Sequence, residues 1–120
     1  MKIKISIALL SIFILSSCYY DSEEELYGLS CDTANVTYST TIRGIINTYG
    51  CLGCHAGPAP SDGFRLETYN DVKARAQDGR LFGAINHSSG FSPMPEGASK
   101  MSQCDINKVK AWIDAGAPNN

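Results

Sequence analysis

The chain has 120 residues, enough for one small domain with short extensions. Ten Lys and Arg against twelve Asp and Glu give a formal charge of −2. With no basic patch and no nucleic-acid motif, this balance argues against nucleic acid as a partner and leaves docking on a basic surface open. Five cysteines in so short a chain each need a place.

The N-terminus carries Lys2 and Lys4 ahead of an apolar run over residues 5–15, too short to span a bilayer comfortably. This is the pattern of a secretory signal. The run ends in Leu15-Ser16-Ser17-Cys18, which resembles the lipobox of bacterial lipoproteins. That resemblance implies a signal peptide over residues 1–17 and a mature chain that starts at Cys18. Cys18 is then acylated and anchors the protein to the bacterial membrane on the periplasmic side. An ordinary signal with an incidental cysteine, or an uncleaved membrane helix, are the competing readings. Residues 18–30 carry Asp21, Glu23, Glu24 and Glu25 with no helical or strand period, and read as a solvated acidic tether. Acidic residues just after a lipidated cysteine also resemble the signal that sends some lipoproteins to the cell surface.

A folded domain is expected over residues 31–120. Tyr38, Ile42, Ile45, Ile46 and Tyr49 fall on one face of a helix. The β-branched residues Val36, Thr37, Thr40, Thr41 and Ile42 favour a strand instead. The helical period holds over three turns and is preferred, with Ser39 as its N-cap and Gly50 as its stop.

Cys51-Leu52-Gly53-Cys54-His55 follows directly. In C-x-x-C-H, two thiols about one turn apart can add across the two vinyl groups of one haem, and the histidine can offer its imidazole to the iron. One covalently attached haem c is therefore the expected cofactor. A dithiol redox site would need a thioredoxin-like strand pattern around it. A zinc site would need a second short ligand pair, and neither His87 nor Cys104 stands in one. The turn-rich loop over residues 56–63 should wrap the histidine side, with one carbonyl accepting from the second ring nitrogen of His55.

Thr68 and Asp71 make a capping box for a helix running to about Gln77, ended by Asp78-Gly79. A short helix over residues 80–86 carries Leu81, Phe82 and Ile85. Residues 87–100 return to loop, where Met94 stands between Pro93 and Pro95. Paired prolines stiffen the backbone and exclude regular helix, an unusual setting for an ordinary core methionine. The last helix has Ser102 as cap, Ile106, Val109, Trp112 and Ile113 on one face, Gly116 as stop and Pro118 beyond. With Cys18 assigned to lipid and Cys51 and Cys54 to haem, Cys31 and Cys104 remain. In an exported chain they are expected to be bridged, although two free thiols would leave the same sequence.

An apolar helix ending at the C-x-x-C-H turn, Pro93-Met94-Pro95, and a closing Trp112-Ile113-Asp114-Ala115-Gly116-Ala117 together resemble a small class I cytochrome c. The likeness is nearest to bacterial domains with a Met-Pro loop and a Trp-Ile-x-x-Gly-Ala helix, and it covers residues 31–120. It implies an all-α fold around a covalently bound haem, with the first and last helices packed across each other. It implies that Cys51 and Cys54 hold the haem, that His55 is the proximal iron ligand and that Met94 is the distal one, with Met101 and His87 as alternatives. The implied function is electron transfer by a membrane-anchored monohaem cytochrome in the bacterial envelope, without enzymatic activity. Its partners would be redox proteins: a donor dehydrogenase or reductase and an acceptor oxidase or cytochrome, met in small transient contacts. A haem enzyme or sensor with an exchangeable sixth ligand (peroxidase-like), or an electron-entry subunit of a larger redox complex, are the alternatives. The Cys31 and Cys104 pair and the lipobox depart from the simplest family members.

Overall fold

The computed structural model describes residues 31–120. The expected signal peptide over residues 1–17, the lipidated Cys18 and the acidic tether to residue 30 lie outside the described residues. Among the described residues all regular structure is helical, with no strand, as expected of an all-α chain. None of these helices is long and apolar enough to cross a membrane.

The β-branched stretch does not form a strand. A π-helical turn, Tyr38–Ile42, runs into helix α1, Arg43–Thr48. The Thr37 carbonyl accepts from both Thr41 and Ile42 at 3.1 Å, which widens this first turn. Ser39 is not the N-cap. Thr37 holds that position in extended conformation without a side-chain cap bond. The first free N–H groups are satisfied from the far end of the chain: Tyr38 N–H donates to Asn120 Oδ1 at 2.8 Å, and Ser39 N–H to the main-chain oxygen of Asn120 at 2.9 Å. A partner from so far along the chain does the work that a local cap does elsewhere.

Helix α2, Tyr69–Gln77, has the expected capping box. Thr68 Oγ1 accepts from Asp71 N–H, and Asp71 Oδ2 accepts from Thr68 N–H at 2.8 Å. Gly79, at φ +79°, turns the chain into helix α3, Arg80–Ile85. Helix α4, Gln103–Asp114, is capped by Ser102, whose hydroxyl accepts from Asp105 N–H at 3.1 Å. Gly116, at φ +89°, supplies the left-handed residue that ends it.

The core joins Ile42, Ile45 and Ile46 to Val72, Ile85, Met101, Ile106, Val109 and Trp112. Trp112 is completely buried, and its Nε1–H is satisfied by the Pro118 carbonyl at 2.9 Å. Tyr38 packs edge-on to Tyr69 at 5.0 Å and lies 5.8 Å from Trp112, so the first helical turn meets the last helix through aromatic rings. Tyr49 adds a polar tie between the same two segments. Its hydroxyl donates to Asp105 Oδ2 at 2.9 Å and accepts from Ser102 N–H at 3.0 Å. Cys31 and Cys104 are bridged, with Cα atoms 5.4 Å apart across a separation of 73 residues. The bridge ties the start of the described chain to the first turn of α4.

Candidate functional site

The site grows out of the end of α1. Gly50, at φ +65°, takes a backbone conformation that glycine adopts without a Cβ penalty. It turns the chain from α1 into a 3₁₀ turn, Cys51–Gly53. The Cys51 carbonyl accepts from Cys54 N–H at 3.3 Å and from His55 N–H at 3.0 Å. Both cysteines and the histidine are thereby held on a single turn.

Both thiols are free; Cys51 is half-buried and Cys54 exposed. Burial pushes the Cys51 thiol above its ordinary range, a hydrogen bond at its own backbone opposes this, and Cys54 adds to the rise. A dithiol oxidoreductase needs the reverse, a first cysteine held partly as thiolate.

His55 is buried, at 6% exposure, and its ring stacks on Phe64 with centroids 4.4 Å apart and planes 18° from parallel. Its backbone is engaged on both sides, the carbonyl accepting from Leu66 N–H at 2.8 Å. Nδ1 is sealed from solvent and has no hydrogen-bond partner among the described residues. The expectation that a carbonyl of the following loop would take this nitrogen is therefore corrected. That loop bonds to itself and its flanks instead: Ser61 N–H takes the Cys54 carbonyl at 2.8 Å, Arg65 Nε takes that of Gly57 at 2.8 Å, and Gly63 N–H takes that of Pro60 at 3.1 Å. What the loop brings to the imidazole is the face of Phe64, whose own ring lies 5.4 Å from the Arg75 guanidinium. Phe64 was not singled out from sequence; its one visible signal is being the sole aromatic residue between His55 and Tyr69.

Met94 lies on a separate loop, half-buried. Its N–H donates to the Ala84 carbonyl at 3.1 Å, and its own carbonyl lies 3.0 Å from His87 Nε2. Met101, the first alternative ligand, is a core residue at 5% exposure. His87, the second, is exposed, and its Nε2 is occupied by the Met94 carbonyl. Cys104 is consumed by its bridge to Cys31 and has no thiol to offer a zinc ion. Among the described residues no three His, Cys, Asp or Glu side chains converge on one metal position. The fold thus unites Cys51, Cys54 and His55, and separately joins Met94 to His87.

No protein-family model, no curated protein and no solved structure matches the chain.

Proposed function

We propose that the chain is a monohaem c-type cytochrome domain that carries electrons in the bacterial envelope, tethered by lipid at Cys18. The observation that carries this reading is the C-x-x-C-H turn itself: two free thiols and a buried imidazole held on one turn. The residues fit a covalently held haem, since unbridged thiols are what thioether formation requires. The helical architecture is compatible with the small cytochrome fold that the sequence resembles.

Bound haem supplies a one-electron ferric–ferrous couple. The rest is the work of this chain. Cys51 and Cys54 would hold the group by thioethers. His55 would offer Nε2 to the iron, and stacking on Phe64 restrains rotation of its ring. Met94 would offer the iron a neutral thioether, a ligand that favours the ferrous state and would deny the metal to peroxide or oxygen. Met101 is accounted for by packing and His87 by its bond to Met94, which leaves Met94 the methionine outside the core. Envelope redox proteins are the expected donors and acceptors.

The test is production with a cytochrome c maturation system. Protein that keeps one haem mass after denaturation and acid–acetone extraction supports the reading. Haem that washes out, or a bare polypeptide mass, refutes it. Wild-type holoprotein that binds carbon monoxide readily and shows no methionine–iron charge-transfer band would replace the carrier with a haem enzyme or sensor.

A further inference from the structure

We infer that His87 is the positioning residue of Met94, fixing its main chain so that the thioether is presented in one direction. This rests on the proposed role of Met94 as distal ligand and adds to it the device that holds the ligand.

The observation begins at the end of α3. Ser88 N–H donates to the Gly83 carbonyl at 2.9 Å and His87 N–H to the Ala84 carbonyl at 3.2 Å. That pair of bonds is a Schellman motif, with His87 at the position that requires a left-handed backbone. His87 has φ +56°. Glycine fills such a position at least cost, and asparagine, aspartate and histidine are the other residues most often found there. Unlike glycine, histidine brings to this position a side chain that can do more than end a helix.

From this position the ring crosses the loop, and Nε2 lies 3.0 Å from the Met94 carbonyl. The Met94 N–H is held at 3.1 Å by the Ala84 carbonyl, the same carbonyl that accepts from His87 N–H. Both main-chain polar groups of Met94 are thus fixed to the end of α3, one on each side of its Cα. A methionine side chain has three rotatable bonds and no directional group of its own, so its aim depends on the main chain. The segment between is folded back on the same helix. Phe91 N–H donates to the Ser88 carbonyl at 3.2 Å, and the Phe91 ring lies so close over Gly83 that a Cβ there would meet it at 2.5–2.6 Å. Because the carbonyl is an acceptor, Nε2 carries the hydrogen in this bond. The neutral ring in that tautomer and the imidazolium both do so.

The experiment uses full-length holoprotein. His87→Gly removes the ring and keeps a residue at ease with positive φ, so it isolates the hydrogen bond from backbone strain. His87→Gln restores a donor of similar reach. The readouts are the affinity of ferric protein for added imidazole, which must displace Met94, and the temperature at which the methionine–iron band disappears. His87→Gly should bind imidazole roughly two- to tenfold more tightly and lose the band at lower temperature, and His87→Gln should recover much of both. Unchanged affinity and band in His87→Gly, or a Gln variant no better than Gly, overturns the inference while the Met94 assignment stands. A melting temperature that falls without any change in imidazole affinity also overturns it, since that is a fold effect alone. Met94→Ala is the control for the underlying reading. If it leaves the band intact, the ligand assignment and this inference fail together. If His87→Gly alone destroys the low-spin spectrum, His87 is itself the ligand.

Discussion

Replacing both Cys31 and Cys104 by serine tests what holds this small domain together. The double replacement avoids a lone thiol that could pair with Cys51 or Cys54. The bridge spans 73 residues of sequence, from the start of the described chain to the first turn of α4. Chain entropy for a loop of that length gives about 4.4 kcal/mol of stabilisation at 25 °C. Total stability for a domain of this size is about 5–13 kcal/mol, so the loss takes a third or more of it. The turn at Cys51 and Cys54 cannot compensate, because thioethers at cysteines only three positions apart would close no long loop. Ligation of iron by both His55 and Met94 would close a loop inside the same span, so the two constraints overlap and should not add. The assay is urea unfolding of holoprotein at fixed pH, with the serine pair introduced into wild-type and Met94→Ala backgrounds. The serine pair should cost up to about 4 kcal/mol, and more in the Met94→Ala background than in wild type. A loss below about 1 kcal/mol in both backgrounds would refute the loop-entropy argument. Equal losses would refute the overlap.

Gly83→Ala should destabilise by about 1–3 kcal/mol despite alanine's better helix propensity, because its Cβ displaces the Phe91 ring; thermal melts alone and combined with Phe91→Ala decide, the second change relieving the first. Asn120→Ala should cost about 1 kcal/mol by uncapping the first helical turn, with faster exchange at the Tyr38 amide; unchanged exchange there speaks against the long-range cap. The Asp71 carboxyl is held below its ordinary value of 3.8 by the Thr68 hydroxyl first and the Thr68 N–H second. A depressed acid stabilises the fold above its unfolded pKa and loses that contribution as pH falls through the folded one. Asp71→Asn should therefore lower stability at neutral pH and flatten its decline below about pH 4 in acid titration; an unaltered acid limb contradicts this.

The local signals in this sequence were legible because each needs only a few neighbouring residues. Thr68 with Asp71, and Ser102 with Asp105, start their helices where capping chemistry places them. Gly50, Gly79 and Gly116 sit at positive φ where the helical runs end or begin. The period of Tyr38, Ile42, Ile45 and Ile46 prevailed over β-branched propensity because all four bury in the core, and tertiary packing outweighs intrinsic preference. What was missed depends on distant partners. Ser39 looked like a cap, yet the amides at that end bond to Asn120. Tyr49 read as one more apolar residue, yet its hydroxyl bridges to the cap of α4. Within the site, the C-x-x-C-H turn is written in five consecutive residues. The Phe64 face against His55 and the His87 bond to Met94 depend on how loops close, which no periodicity records.

The two histidines show why polar chemistry against the grain of the fold is informative. His87 is exposed and its ring nitrogen makes a bond that organises a loop. His55 is buried beside an aromatic ring with Nδ1 unpaired. Either tautomer leaves that nitrogen unsatisfied, as a donor without an acceptor or as an acceptor without a donor, at about 1–3 kcal/mol. A leucine would fill the same space against Phe64 without that penalty. In chain produced without haem, with the Cys31–Cys104 bridge formed, His55→Leu should therefore raise stability to urea by about 1–3 kcal/mol. In the same chain Trp112→Ala, which opens a cavity in the core, should lower it by about 3–5 kcal/mol. A gain in stability for His55→Leu would mean that His55 is kept at a cost to the fold, as residues retained for function are. A destabilised His55→Leu chain would mean that the imidazole serves packing, and the case for the turn as a haem site would then rest on Cys51 and Cys54 alone.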